Sequence, residues 1–247
     1  MTVSARRLRS VTMDFEDAEL YRDITDFARD TPTWVEHAAG IWTEAGLLLF
    51  AALFVTAWWR ARRDSTRAFA IAALAPLATA VAYVCSEVLK SVVTQERPCR
   101  AVPDATAALS ACPPPGDWSF PSNHATIAGA AAVALALTGR ALLWLTAPLA
   151  LLMAFSRVFV GVHYPHDVAA GLALGALVAL TVVRLTARPA YRLAEAMRAS
   201  SAPAVRWFTG PGRPERALTH GSHDSYASRD SRDSLDSRDS YDSHDMN

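Results

Sequence analysis

Lysine is nearly absent from this 247-residue chain: the 24 basic side chains comprise 23 arginines and one lysine, Lys90. Where arginine replaces lysine almost everywhere, the remaining lysine is a candidate for a specific role. An excess of either charge is absent too, because the net charge at pH 7 is zero. We therefore expect no nucleic acid partner, since nucleic-acid-binding proteins present a basic surface. Residues 1–39 also lack the apolar stretch of a cleavable signal peptide, so the first membrane span is expected to direct insertion.

Apolar residues are gathered into five long runs, and a helix needs roughly 20 such residues to cross a bilayer core. A soluble protein with buried core helices would need more polar surface than this chain provides. The sequence therefore predicts an all-α integral membrane bundle of about five transmembrane helices. The predicted spans are Ile41–Trp59, Ala68–Leu89, Ala125–Thr138, Ala141–Val160 and Val168–Leu185.

Arginines cluster in the links between spans one and two and between spans three and four, and again after span five. Short cytoplasmic loops are rich in arginine and lysine, so we expect an extracellular N-terminus and a cytoplasmic C-terminus. Arg6, Arg7 and Arg9 oppose this arrangement but lie far from the first span. The clustered residues are Arg60, Arg62, Arg63, Arg67, Arg140, Arg184, Arg188, Arg192 and Arg198.

Three segments follow from these patterns. Residues 1–39 form an N-terminal segment whose amphipathic part, residues 15–39, is either an interfacial helix on the outer leaflet or an ordinary packed surface helix. Residues 40–190 form the transmembrane core. Residues 191–247 form a cytoplasmic tail, and repeated Asp-Ser pairs predict disorder from about residue 220.

Chemically reactive side chains occur in three short clusters: Lys90–Pro98, Pro121–His124 and Ser156–Asp167. The first follows span two, the second begins span three, and the third joins span four to span five. In an alternating bundle these positions share one face. The topology therefore predicts one site at the outer membrane surface.

The cations and hydroxyls of these clusters suit a phosphate group. Arginine offers a planar pair of donors to a phosphate, which fits Arg97 and Arg157, and Lys90 adds a third charge. Ser122 and Asn123 stand where a helix begins, so their backbone N–H groups and the helix dipole are expected to form an anion site.

Two histidines and one carboxylate suit phosphoryl transfer. His163 and Asp167 are four residues apart and meet on one helical face if the helix begins at or before His163. The carboxylate can then fix the imidazole tautomer and leave the other nitrogen to attack phosphorus. His124 is then the general acid. His166 is expected to be a bystander. The carboxylates form no tight cluster of the kind that Mg²⁺ requires, so no metal or other cofactor is expected.

The three cysteines have different surroundings. Cys85 lies within span two and is expected to be a small apolar filler. Cys99 and Cys112 lie in the loop of residues 91–123, which the topology places outside the cell. An oxidising compartment permits a disulfide between them, although two free thiols fit the sequence equally well.

The motifs Lys-x6-Arg-Pro, Pro-Ser-x-His and Ser-Arg-x5-His-x3-Asp resemble the signature of the type 2 phosphatidic acid phosphatase superfamily, across residues 90–167. The resemblance implies a helical membrane bundle and metal-independent hydrolysis through a phosphohistidine. It further implies a nucleophile, its carboxylate partner, a general acid and four phosphate ligands. By position, the nucleophile is His163, its partner Asp167 and the general acid His124. The four phosphate ligands are Lys90, Arg97, Ser122 and Arg157.

Asn123 departs from the family pattern, which has glycine at this position. Asparagine or aspartate here, together with Phe120 and the run Phe155–Asp167, resembles the bacterial undecaprenyl-diphosphatase branch. That branch implies a plasma-membrane enzyme with an outward-facing site and a polyprenyl diphosphate substrate. A phosphatidate or phosphatidylglycerol-phosphate phosphatase is the alternative. The spans argue against the related soluble haloperoxidases, and the retained histidines argue against a non-catalytic lipid-phosphate binder.

Overall fold

The structure is a computed structural model that describes residues 17–103 and 108–213. Within these ranges it is helical and contains no strand. Residues 17–30 form α1, and a 3₁₀ turn, Arg140–Leu142, precedes α6. The remaining helices are α2 (Thr33–Ala61), α3 (Thr66–Val92), α4 (Pro98–Ala101), α5 (Asn123–Thr138), α6 (Leu143–Phe159), α7 (Pro165–Arg198) and α8 (Pro203–Thr209). The predicted all-α class is confirmed.

Four helical segments are long and apolar enough to cross a membrane: α2, α3, α7, and α6 with its preceding 3₁₀ turn. The fifth predicted span, α5, has only 16 residues. It lies at the centre of the bundle, in contact with α2, α3, α6 and α7. Six of its nine buried residues are alanines, so four neighbours can approach it closely. The predicted membrane bundle is thus confirmed with four long apolar helices in the described residues, and a membrane crossing by the short central helix stays a prediction.

Two glycines let α7 lie directly against α5. A Cβ atom on Gly175 would stand 2.0 Å from the carbonyl oxygen of Thr126, and one on Gly171 would stand 2.6 Å from that of Ser122. Only glycine permits such backbone contact. The same approach lets the Ser122 backbone N–H donate to the Asp167 carbonyl oxygen over 3.1 Å. The first turns of α5 and α7 are therefore held together.

Gly175→Ala is expected to destabilise the protein by about 1–3 kcal/mol, because the added methyl group forces the two helix backbones apart. Thermal unfolding in detergent measures the effect. Gly40→Ala is the matched control: it lies inside α2, and a Cβ there meets nothing within 4 Å. That substitution should leave stability unchanged or raise it slightly. Equal stability of the two variants would refute the close α5–α7 contact.

The arginine-rich segments meet at one end of the bundle. Arg198, at the end of α7, donates to the Asp64 carbonyl oxygen and to the Thr66 hydroxyl, which belong to the link between α2 and α3 and to the start of α3. Arg62 lies over the rings of Trp58, Trp59 and Trp207, which joins α8 to the same end. Since α3 runs away from this end, the Lys90 cluster lies at the opposite one, as the alternating topology predicts.

The N-terminal boundary differs from the prediction. The first helix ends at residue 30, and residues 33–39 are the first turns of α2, because Pro32 stands at the junction and cannot donate a backbone N–H. One face of α1, formed by Tyr21, Thr25 and Ala28, is buried, and the Tyr21 hydroxyl donates to the Gly161 carbonyl oxygen over 2.9 Å.

The other face of α1 exposes Leu20 and Phe27, so the helix combines a packed face with apolar residues available to a membrane interface. At the other end of the core, α7 continues through Pro189 to Arg198, past the predicted boundary at residue 190. The predicted disorder from about residue 220 falls outside the described residues.

Candidate active site

The three sequence clusters meet at the end of the bundle opposite the arginine-rich links. The last turns of α3 and α6 and the first turns of α5 and α7 all lie at this end. The joining loops add Arg97, at the start of α4, and His163, between α6 and α7. The helical members are Lys90 on α3, His124 on α5, Arg157 on α6 and Asp167 on α7.

Asp167 is fully buried beside His163. Its Oδ2 atom lies 3.4 Å from His163 Nδ1 and accepts a 2.8 Å hydrogen bond from the Tyr164 backbone N–H. The Ser119 hydroxyl donates to the same oxygen and lies 3.5 Å from His163 Nδ1. These contacts fix the carboxylate against the imidazole. The predicted pair forms, although His163 precedes α7: Asp167 reaches back from the first turn of that helix, where it also caps the Tyr164 backbone N–H.

The second imidazole nitrogen faces a cation. Arg97 Nη1 lies 3.0 Å from His163 Nε2, and a guanidinium only donates hydrogen bonds. Nε2 is therefore the unprotonated nitrogen, and the proton lies on Nδ1, towards Asp167. Burial lowers the pKa of His163 to about 4, because the hydrogen bond and charge of Asp167 offset it only in part. A neutral imidazole with a lone pair on Nε2 is the form that a nucleophile needs.

Three buried polar atoms of the site have no protein hydrogen-bond partner among the described residues: Arg157 Nε, the Ser122 hydroxyl oxygen and Asp167 Oδ1. Arg157 is otherwise anchored by a 2.7 Å hydrogen bond from Nη1 to the Thr43 hydroxyl. His124 lies among the cations, where the charges of Arg157 and Lys90 act on it. Buried polar groups normally have partners, and the oxygens of a bound phosphate would satisfy Arg157 Nε and the Ser122 hydroxyl.

The start of α5 differs in detail from the prediction. The expected anion site included the Ser122 backbone N–H, but that group donates to the Asp167 carbonyl oxygen instead, so this part of the prediction is wrong. The Asn123 side chain turns to α3, where it accepts a 2.7 Å hydrogen bond from the Ser86 hydroxyl and donates to the Glu87 carboxylate. A phosphate contact by Asn123 stays a prediction.

The spacing and the geometry both point to one family, and comparison with known proteins agrees. Residues 71–190 match the model of the PAP2 superfamily. The chain carries a PAP2 superfamily domain. This match contains every predicted site residue, so the PAP2 domain and the candidate active site are the same part of the chain.

Two curated relatives of this PAP2 domain are named as phosphatases of polyprenyl lipids. Undecaprenyl-diphosphatase from Sulfolobus acidocaldarius is 42% identical over 106 residues, which cover 42% of this chain and 50% of that protein. Decaprenylphosphoryl-5-phosphoribose phosphatase from Mycobacterium tuberculosis is 43% identical over 104 residues, which cover 41% of this chain and 54% of that protein. The chain thus spans about half the length of these relatives.

A solved structure shares the fold. The crystal structure of Aquifex aeolicus LpxE superposes with a TM-score of 0.54 at 23% sequence identity, and the match covers 67% of this chain and 93% of that one. Together with the apolar helices, these comparisons support a multi-pass membrane protein that carries a PAP2 superfamily domain. The resemblance noted from the motifs is confirmed, and undecaprenyl-diphosphatases are among its relatives.

Asp117 is a site residue that sequence reasoning missed. Its Oδ1 lies 2.9 Å from Arg97 Nη2 and 3.5 Å from Lys90 Nζ. Burial alone would raise the pKa of Asp117, but hydrogen bonds and charges from Arg97 and Lys90 outweigh it and hold that pKa below its ordinary value. No spacing rule signals this residue, since a loop rather than a helix brings it to Lys90 and Arg97. Ser119, two residues later, was missed for the same reason.

His166, expected to be a bystander, is more closely bound to the site than predicted. Its Nδ1 lies 2.6 Å from Asp17 Oδ2 on α1, and its Nε2 lies 3.1 Å from both Gln95 Oε1 and Asp167 Oδ1. Its ring also stacks on that of Tyr164. The start of α1 is therefore linked through His166 to the carboxylate that holds His163.

A disulfide closes residues 99–112 into a loop that ends shortly before Asp117. Cys99 and Cys112 are bonded, with their Cα atoms 6.0 Å apart, which settles the choice that the sequence left open. Arg100 donates to the Glu96 carboxylate and to the Pro113 carbonyl oxygen on either side of this bond. In residues 17–103 and 108–213, no three His, Cys, Asp or Glu side chains are grouped as metal ligands would be.

Proposed function

We propose that this protein hydrolyses a polyprenyl diphosphate, such as undecaprenyl diphosphate, to the monophosphate at the extracytoplasmic face of a bacterial plasma membrane. The observation that carries the proposal is the setting of His163: Nδ1 faces Asp167, Nε2 carries the lone pair, and Arg97 lies directly beside that nitrogen. The names of the relatives support the substrate class, and the arginine-rich opposite end of the bundle supports the sidedness.

The reaction takes two displacements at the terminal phosphorus. His163 Nε2 attacks it, the bond to the bridging oxygen breaks, and His124 transfers a proton to that oxygen as the lipid monophosphate leaves. Water then attacks the phosphohistidine while His124 takes a proton from it. The phosphorus–nitrogen bond breaks, phosphate leaves, and the lone pair returns to Nε2. Asp167 stabilises the imidazole throughout by holding the proton on Nδ1.

We further propose that the reaction needs no metal ion and no other cofactor. Lys90, Arg97 and Arg157 supply three positive charges next to the reacting phosphate. Fixed cations of this kind stabilise the negative charge that builds up on the phosphate oxygens. The Ser122 hydroxyl and Arg157 Nε, both buried without a protein partner in the described part of the chain, are proposed to bind those oxygens.

A phosphomonoester at the end of a lipid is the second candidate substrate. One relative is named for such a compound, decaprenylphosphoryl-5-phosphoribose, and a terminal phosphate would meet the same cations. Phosphatidate and phosphatidylglycerol phosphate belong to this second class. A non-catalytic lipid-phosphate binder is disfavoured, because cations alone would serve binding and the oriented pair of His163 and Asp167 would have no use.

Phosphate release from a panel of lipids tests the proposal. Detergent-purified protein is offered undecaprenyl diphosphate, phosphatidate and phosphatidylglycerol phosphate in parallel, each with and without excess EDTA. We expect the highest kcat/KM for the diphosphate and less than a twofold effect of EDTA. A preference for a monoester would replace the substrate assignment and keep the mechanism. Loss of activity in EDTA, restored by a divalent cation, would refute metal independence.

A further inference from the structure

The Asp117 carboxylate lies where two of the proposed phosphate ligands meet. Its Oδ1 contacts both Arg97 Nη2 and Lys90 Nζ, at 2.9 and 3.5 Å. The side chains of Lys90 and Arg97 are only 8% and 4% exposed, whereas that of Asp117 is 45% exposed. The two cations are therefore fixed in the protein, and the carboxylate that neutralises them reaches the solvent.

Four of the five N–H donors of Arg97 have protein partners in this arrangement. Its Nε donates to the Asp117 carbonyl oxygen over 2.8 Å, and its Nη2 donates to the Asp117 carboxylate. Its Nη1 contacts the Val162 carbonyl oxygen and His163 Nε2, each over 3.0 Å. The edge formed by Nε and Nη2 is one of those with which a guanidinium binds carboxylate or phosphate in pairs of hydrogen bonds. A phosphate that binds this edge must displace Asp117.

The charges of the site make that displacement possible for a strong anion. Three cations, Lys90, Arg97 and Arg157, surround the position, and the half-exposed Asp117 is the carboxylate that pairs with two of them in the described part of the chain. Glu87 and Glu44 act on Lys90 and Arg157 from farther away. A displaced Asp117 regains water, since it already reaches the solvent, and this limits the cost of leaving. A phosphate with two negative charges gains more from the buried cations than one carboxylate does.

We infer that Asp117 is a specificity-determining residue: its carboxylate competes with the substrate phosphate for Arg97 and Lys90. The inference rests on the proposed function. A headgroup that binds the Nε–Nη2 edge of Arg97 must displace the carboxylate, so anions that bind weakly do not occupy this edge. The phosphodiesters of bulk phospholipids, with one negative charge, are such anions, and they surround a site at a membrane surface. Terminal phosphates and diphosphates carry more charge and displace Asp117.

The test compares Asp117→Asn with the wild type at constant ionic strength. We expect KM for undecaprenyl diphosphate and the inhibition constant of inorganic phosphate to fall about tenfold, with kcat changed less than threefold, because a charge-assisted contact no longer has to be broken. A short-chain phosphatidylglycerol, which should not inhibit the wild type at millimolar concentration, should inhibit the variant.

Glu96→Gln is the matched control. Glu96 precedes the same loop, its side chain is 42% exposed, and it pairs with Arg100 rather than with a site cation. Its removal takes away the same charge but should leave all three constants unchanged. An equal fall in both variants would mean a general effect of surface charge and would overturn the inference.

A positioning role for Asp117 predicts changes in KM and in the phosphate inhibition constant in the opposite direction. If its carboxylate mainly orients Arg97 and Lys90, Asp117→Asn raises KM and the phosphate inhibition constant, and the inference is wrong. Asp117→Glu, which keeps the charge, should keep constants near those of the wild type, and a tenfold fall there would also overturn it.

The phosphate-dependent rise in unfolding temperature measures binding without any lipid substrate. This measurement separates the inference from the proposed function. Tighter phosphate binding by Asp117→Asn supports the competition even if undecaprenyl diphosphate is not hydrolysed. Unchanged phosphate binding overturns it even if that lipid is hydrolysed.

Discussion

Replacing His163 by glutamine is expected to lower kcat by a factor of about 10⁴ or more, the scale of losing a nucleophile. Burial holds the pKa of His163 at about 4, so the native side chain is neutral at pH 7 and the substitution removes no charge. Glutamine retains polar atoms at this position but has no lone pair able to attack phosphorus. The loss in kcat would therefore measure nucleophilic attack and not the electrostatics of the site.

Trapping of the intermediate checks the same prediction directly. Wild-type protein mixed with substrate labelled at the terminal phosphate and quenched in alkali should retain protein-bound label that acid releases, as expected of a phosphohistidine. The His163→Gln variant should retain none. His37→Gln, an exposed position on α2, is the matched control and should behave as the wild type. Label or turnover surviving in His163→Gln would remove His163 as the nucleophile.

Residues that follow helical spacing were predictable from the sequence. The four-residue spacing predicted the pair of His163 and Asp167, although His163 precedes the first residue of α7. The order of the spans requires Lys90, His124 and Arg157 to share an end of the bundle. These inferences depend on periodicity and chain direction alone. The α5–α7 contact that brings the two histidine clusters together was not predicted, although Gly171 and Gly175 are spaced to permit it.

Residues placed by loops and by neighbouring helices could not be predicted. Asp117 and Ser119 reach the site because the loop before α5 contacts Arg97 and Gln95: Arg97 donates to Asp117, and the Ser119 backbone N–H donates to the Gln95 carbonyl oxygen. Asn123 was expected at the phosphate, but Glu87 on α3 lies within reach of its amide. Asp17 meets His166 only because Tyr21 docks α1 on the loop at Gly161. Each of these contacts joins segments distant in the sequence and without a shared period.

His124→Gln is expected to have the second-largest effect, and the effect should depend on the leaving group. A general acid typically contributes 10²- to 10⁴-fold, and it contributes most where the leaving oxygen is most basic. A lipid monophosphate leaves as a phosphate, whose second pKa is about 6, whereas a monoester of a lipid alcohol must leave as a far more basic alkoxide. We therefore expect a loss of about 10² for undecaprenyl diphosphate and about 10⁴ for phosphatidate.

His124 is proposed to protonate the leaving oxygen and later to take a proton from water. A substrate whose leaving group needs no protonation separates these two proton transfers. With p-nitrophenyl phosphate, whose leaving group is a weak base, the His124→Gln variant should form the phosphohistidine at nearly the wild-type rate. Attack by water still needs a base, so the intermediate should accumulate. Stopped-flow absorbance should then show a burst of about one p-nitrophenol per active site, followed by slow turnover. An equal loss with all three substrates and no burst would contradict a role in proton transfer and assign His124 to phosphate binding alone.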